Sequence, residues 1–144
     1  MICGHQPSFI KEIINELDCK DDILLLGHVN FKYLPFFYSL ASCFVFPSLH
    51  ESFGMPILEA MACGCPVITS KLFSCSEVAG DSALLVDPYN INDLTNAIYC
   101  LIDNKKLNKE LKQKGLIRSK NFTWHKCAKK HLEVYLKAYN NIDK

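Results

Sequence analysis

Two carboxylates stand eight residues apart in the stretch Glu51-Ser-Phe-Gly-Met-Pro-Ile-Leu-Glu59. An ionised carboxylate has two acceptor oxygens and can take both hydroxyl protons of a vicinal diol, as on ribose or a hexose. Gly54, between them, lets backbone approach a ligand where a Cβ would intrude. The residues before them, 42–48, read as a short buried strand ending in a turn. Those after, 56–64, read as a helix with proline in its first turn and glycine at its end. Glu51 therefore falls in a loop and Glu59 one turn into a helix. The free N–H groups and positive dipole end of a helix N-terminus attract phosphate. Open α/β sheets bind ligands at the carboxyl ends of their strands. A sugar nucleotide suits all of these features. Spacing alone leaves a plainer reading open, in which Glu59 is a solvated helix residue and Glu51 a loop charge.

The elements that must position this loop follow from apolar periodicity. Strands are expected at 23–26, 43–46, 66–69 and 83–86, with a stub at 1–3. Helices are expected at 7–17, 33–41 (with Pro35 in its first turn), 56–63 and 91–102. Short continuous apolar strands alternating with helices indicate an α/β fold, a Rossmann-like parallel sheet covered by helices on both faces. After Val86 the pattern turns wholly helical, with helices at 105–119 and 124–139. In the last, Trp124, Cys127, Ala128, His131, Leu132, Tyr135 and Tyr139 recur at three- and four-residue spacing, an apolar stripe that needs a partner.

At 144 residues and 49% apolar content, residues 1–144 read as one domain with enough apolar side chains for a core. The net charge of +1 gives no electrostatic reason to expect nucleic acid. Arg118 is the only arginine, and the lysines from Lys105 to Lys137 are read as solvated helix faces. A weak membrane-surface role for that basic end stays open. The eight cysteines contain no C-x-x-C pair and no zinc-ligand spacing, so reduced thiols in mostly apolar surroundings are expected. Neither a signal peptide nor a bilayer-spanning run is evident, which points to the cytoplasm.

The run Phe46-Pro-Ser-Leu-His-Glu-Ser-Phe-Gly-Met-Pro-Ile-Leu-Glu-Ala-Met-Ala-Cys-Gly-Cys-Pro-Val-Ile-Thr-Ser70 resembles the signature of the family 4 (group 1) retaining glycosyltransferases of GT-B fold. The likeness continues through Glu77-Val-Ala-Gly-Asp-Ser-Ala-Leu-Leu-Val-Asp-Pro88, and reaches upstream to Ile23-Leu-Leu-Leu-Gly-His-Val29 and downstream to Phe122-Thr-Trp124. Met1-Ile-Cys-Gly4 resembles the second strand of the family's carboxyl-terminal domain. The resemblance thus implies the donor-binding half of such an enzyme, lacking its first strand and the amino-terminal acceptor domain.

The resemblance also implies roles. A hexosyl group passes from a nucleoside diphosphate sugar to an acceptor sugar or lipid-linked glycan, with retention, no cofactor and no metal. Glu59 would bind the ribose hydroxyls, and Glu51, the catalytic candidate, the donor hexose. Backbone at Phe53, Gly54 and Met55, leading into Pro56, would meet sugar hydroxyls and phosphate. Gly27, His28 and Val29 would border the nucleotide base. The family's arginine–lysine phosphate clamp has no match between Met1 and Glu51, so weak donor binding and little turnover are expected of these residues alone. A catalytically inactive nucleotide-sugar-binding or partner module is the alternative, and a sugar-nucleotide epimerase a weaker third reading. His50 is expected at the edge of the site, and His5, His125 and His131 are expected to be structural or exposed. Lys71 reads as a surface lysine and Glu77 as the cap of a short helix toward Gly80. Ser76 departs from the family, which commonly has proline there. Without an acceptor domain the stripe of the last helix is expected to drive self-association, and peripheral attachment at the inner membrane face stays open.

Overall fold

A computed structural model of the chain describes residues 1–4 and 7–142; His5 lies outside the described residues. The chain divides into two compact units, Met1–Phe37 and Tyr38–Lys144.

In the first unit strand β1 (Ile2–Cys3) pairs in parallel with β2 (Leu25–Gly27), and helix α1 (Ser8–Asn15) lies between them in sequence. Two 3-10 turns, Lys20–Asp22 and Phe31–Tyr33, precede and follow β2. Helix α2 (Leu34–Leu40) begins in this unit, which ends at Phe37. None of the unit's described side chains is buried. Two short strands cannot cover both faces of a sheet, and Phe9, Ile13, Leu24 and Phe31 are exposed.

The second unit holds the core. Strands β3 (Phe44–Phe46), β4 (Val67–Ser70) and β5 (Ala83–Val86) form a parallel sheet in that order, with Phe44 opposite Val67 and Val67 opposite Ala83. The strand period of two assigns alternate side chains to opposite faces. Phe44, Phe46, Val67 and Ala83 pack with Ile57, Leu58 and Met61 of α3 (Met55–Ala62) and Cys75 and Val78 of α4 (Phe73–Ala79). Val45, Ile68, Leu84 and Val86 pack on the other face with Leu94, Ala97, Ile98 and Leu101 of α5 (Ile91–Asp103). The expected helices on both faces are thus present. All four β4 residues are buried, which is why the run Val67-Ile-Thr-Ser70 carries no solvent-facing charge.

Local chemistry sets the boundaries. Gly64, at φ +71, ends α3 in a Schellman motif: its N–H donates to Met61 O and that of Cys65 to Ala60 O. Asn90 caps α5 by accepting from the Asp93 N–H at 3.2 Å. Asn104 follows α5 and caps α6 (Lys105–Ser119) by accepting from the Leu107 N–H at 3.0 Å. Gly115 lets α6 approach α3, since a Cβ there would lie 3.1 Å from Met61 Cγ. Helix α7 (Trp124–Ile142) follows, and every side chain described on it is exposed.

The parallel sense holds in both ladders, β1–β2 and β3–β4–β5. Several finer expectations need correction. Strand β2 begins two residues later than expected. Helix α4 starts at Phe73, so Glu77 lies in its last turn and cannot cap its beginning. Four cysteines, Cys3, Cys19, Cys100 and Cys127, are exposed rather than set in apolar surroundings, and all eight are free.

Candidate functional site

The loop between β3 and α3 carries Glu51, and α3 carries Glu59. Gly54 makes the junction: it is the N-cap of α3 at φ 89 and ψ 47, and its own carbonyl accepts from the Ile57 N–H at 3.0 Å. That left-handed conformation disfavours any residue with a Cβ, which here would also meet Ile57 Cδ1 at 3.0 Å. Pro56 occupies the first turn, where its missing N–H costs nothing. Among the described residues the backbone N–H groups of Phe53, Gly54 and Met55 donate to no protein acceptor. Phe53 and Met55 are exposed and Pro56 is half-buried.

Each glutamate is held by one hydroxyl. Ser48 Oγ donates to Glu51 Oε1 at 3.1 Å, with the His50 carbonyl 3.2 Å away as a second acceptor. Tyr38 OH donates to Glu59 Oε2 at 3.3 Å. The Tyr38 ring is itself fixed edge-on against Phe44, centroids 5.2 Å apart. The second oxygen of each carboxylate has no hydrogen bond among the described residues. Ser74 Oγ, from the first turn of α4, donates to the Glu51 carbonyl at 2.6 Å and ties down the loop. Beneath it lies the Cys75 thiol, whose pKa burial raises; a Thr69 hydrogen bond opposes the shift and the Glu51 charge adds to it.

The flanks of the loop are aromatic. Phe53 meets Phe122 edge-on at 5.9 Å, and Phe122 lies under the Arg118 guanidinium at 5.2 Å. Arg118 Nε donates to the Val78 carbonyl at 3.0 Å and Nη2 to the Glu77 carbonyl at 2.6 Å. The single arginine therefore holds the carboxyl end of α4. On the other flank His50 meets Phe73 edge-on at 5.4 Å. At the ends of β4 and β5, Lys71 pairs with Asp87 at 2.9 Å. That hydrogen bond, followed by one from the Tyr89 N–H, holds the Asp87 carboxyl below the usual range.

Of the nine candidate residues, Glu51, Phe53, Gly54, Met55, Pro56 and Glu59 share one loop–helix segment of the second unit. Gly27, His28 and Val29 lie in the first unit at the carboxyl end of β2; there Gly27 has φ 61, His28 is exposed and Val29 half-buried. His125 and His131 are exposed. Sequence reasoning missed Tyr38, Ser48, Ser74 and Phe122. Ser48 had a local signal, a serine three residues before a glutamate. Tyr38 had none, because 21 residues separate it from Glu59. No group of three or more potential metal ligands is found among the described residues.

The family described as glycosyl transferases group 1 matches residues 1–118. The O-antigen chain mannosyltransferase B of Escherichia coli is 37% identical over 132 residues, covering 92% of this chain and 35% of that protein. Sucrose-phosphate synthase from Thermosynechococcus elongatus superposes with a TM-score of 0.81 at 30% identity, over 92% of this chain and 34% of its own. The C-terminal domain of a group 1 glycosyl transferase from Francisella tularensis superposes with a TM-score of 0.64 at 27% identity, over 78% of this chain and 61% of that domain. The chain thus spans about a third of the length of the first two relatives. Its α/β architecture is that of a GT-B carboxyl-terminal domain. By sequence match and by fold, the chain belongs to the group 1 glycosyl transferases.

Proposed function

We propose that the chain is the donor-binding part of a retaining glycosyltransferase that moves a hexosyl group from a nucleoside diphosphate sugar to an acceptor. The observation that carries this reading is the pair Glu51 and Glu59, each pinned through one oxygen by a hydroxyl and each with its other oxygen unengaged among the described residues. Glu59 takes the ribose diol and Glu51 the donor hexose. The N–H groups from Phe53 to Met55, at the positive end of α3, face the developing charge of the leaving diphosphate. Residues 1–144 serve as one nucleotide-sugar-binding domain, and the acceptor sugar or lipid-linked glycan is bound by a further, amino-terminal domain. No cofactor or metal is required. Similarity to a protein named as an O-antigen mannosyltransferase supports a role in polysaccharide assembly. No helix among the described residues is long and apolar enough to cross a membrane.

One observation favours the second reading, a nucleotide-sugar-binding module without transfer: Arg118 is committed to backbone carbonyls and Phe122, so no arginine of this chain is available to a diphosphate. On either reading Glu59→Gln weakens nucleotide-sugar binding, because the amide has one acceptor oxygen instead of two. The expected cost is about 1.5–3 kcal/mol, measured by calorimetry. Unchanged affinity would return Glu59 to the role of a solvated helix residue. Donor turnover once an amino-terminal acceptor domain of the family is supplied separates the two readings, since little turnover is expected of these residues alone and only a transferase then splits the sugar from the diphosphate.

A further inference from the structure

We propose that Phe73, with His50 at its edge, forms a wall of the donor site that packs against the apolar face of the transferred hexose. The inference rests on the donor reading above and names the group that meets the sugar ring. Among the described residues Phe73 is the only one other than glycine with positive φ, at +49°. A side chain with a Cβ adopts that region at a cost, and such strain persists where the surroundings enforce it.

The surroundings here do enforce it. Leu72 N–H donates to Ser70 Oγ at 3.1 Å on one side, and Ser76 Oγ donates to the Phe73 carbonyl at 2.8 Å on the other. The next residue, Ser74, is bound to the Glu51 carbonyl. Strain of this kind is often repaid by burying the ring. At Phe73 it is not, because the residue is 63% exposed; its ring meets the imidazole of His50, the neighbour of Glu51, edge-on.

The backbone thus holds a flat, exposed aromatic ring beside the loop that carries the carboxylate assigned to the hexose. An aromatic face carries negative charge density, and the C–H groups on one face of a pyranose present the complementary positive edge. Glu51 takes hydroxyls from the rim of the sugar while Phe73 covers its apolar face. Free nucleoside diphosphate has no such ring and gains nothing from the wall.

The experiment compares the wild-type chain with Phe73→Gly and Phe73→Tyr by calorimetry. The ligands are GDP-mannose, UDP-glucose and ADP-glucose, each beside its free nucleoside diphosphate. Glycine adopts the left-handed conformation freely, so Phe73→Gly is expected to leave the thermal midpoint unchanged or raised. It should weaken the sugar-bearing ligand about 3–10-fold, as expected for loss of one aromatic contact, without changing affinity for the free diphosphate. Phe73→Tyr should retain wild-type affinity. Equal affinity of wild type and Phe73→Gly for the sugar nucleotide overturns the wall and leaves the donor site standing. Equal losses for both ligand types do the same. If the wild-type chain binds none of the six ligands, the donor reading falls and the wall with it.

Discussion

At the scale of single residues, the second unit spends hydroxyls on fixing carboxylates and burial on keeping thiols neutral. Cys65 is 2% exposed, and its thiol pKa is pushed up to about 12, chiefly by burial and then by the neighbouring Cys43. A thiol that holds its proton more tightly when folded stabilises the native state fully below the unfolded-state value. That stability is lost as pH rises from there through the folded value. The chain should therefore become easier to unfold between about pH 9 and pH 12, by at most about 1.4 kcal/mol per pH unit from this group. Urea midpoints at pH 8 and pH 10 test this, and Cys65→Ala should flatten the difference; an equal slope in the variant would remove Cys65 as the cause. Glu51 and Glu59 were legible as a pair because carboxylate spacing and the Gly54 turn are local. Phe73 was not, because its φ is set by Ser70, Ser76 and the loop that Ser74 holds, and nothing about a phenylalanine announces a left-handed backbone.

At the scale of elements, apolar period distinguished every strand and long helix and gave the parallel sense. It could not say which strands are neighbours, since alternation carries no register. Hence the separation into a β1–β2 and a β3–β4–β5 ladder came only with the structure. Short helices such as α4 are set by tertiary contacts. Its carboxyl end is fastened by Arg118, whose planar fork reaches two carbonyls at once. Arg118→Met should cost about 1–3 kcal/mol of unfolding free energy, the range for charge-assisted hydrogen bonds left unmade. Arg118→Lys should recover only part of it, because an ammonium cannot fork. Chemical denaturation of both variants measures this. Full stability of the methionine variant would mean that the carbonyls are served as well by water. The same change removes the cation above Phe122 and with it one support of Phe53.

At the scale of the whole molecule, the buried side chains among the described residues belong to residues 38–144, and those described on α7 add none. Trp124, Leu132, Tyr135, Leu136 and Tyr139 are all more than half exposed, a contiguous apolar surface of the kind that promotes association. The chain is expected to self-associate as its concentration rises, and a chain ending at residue 123 to remain monomeric. Light scattering across a concentration series checks both. A monomeric full chain at every concentration would show that α7 is content in water.

The absence of any buried side chain among the described residues of the first 37 has a consequence for synthesis in the cell. Residues 1–37 leave the ribosome before 38–144, with no interior of their own to collapse around. Their apolar side chains, Phe9, Ile13, Phe31 and Phe36 among them, are exposed and stay accessible to chaperones while residues 38–144 are translated. Codon changes that slow elongation past Phe37 would lengthen that window and lower soluble yield without altering the finished polypeptide.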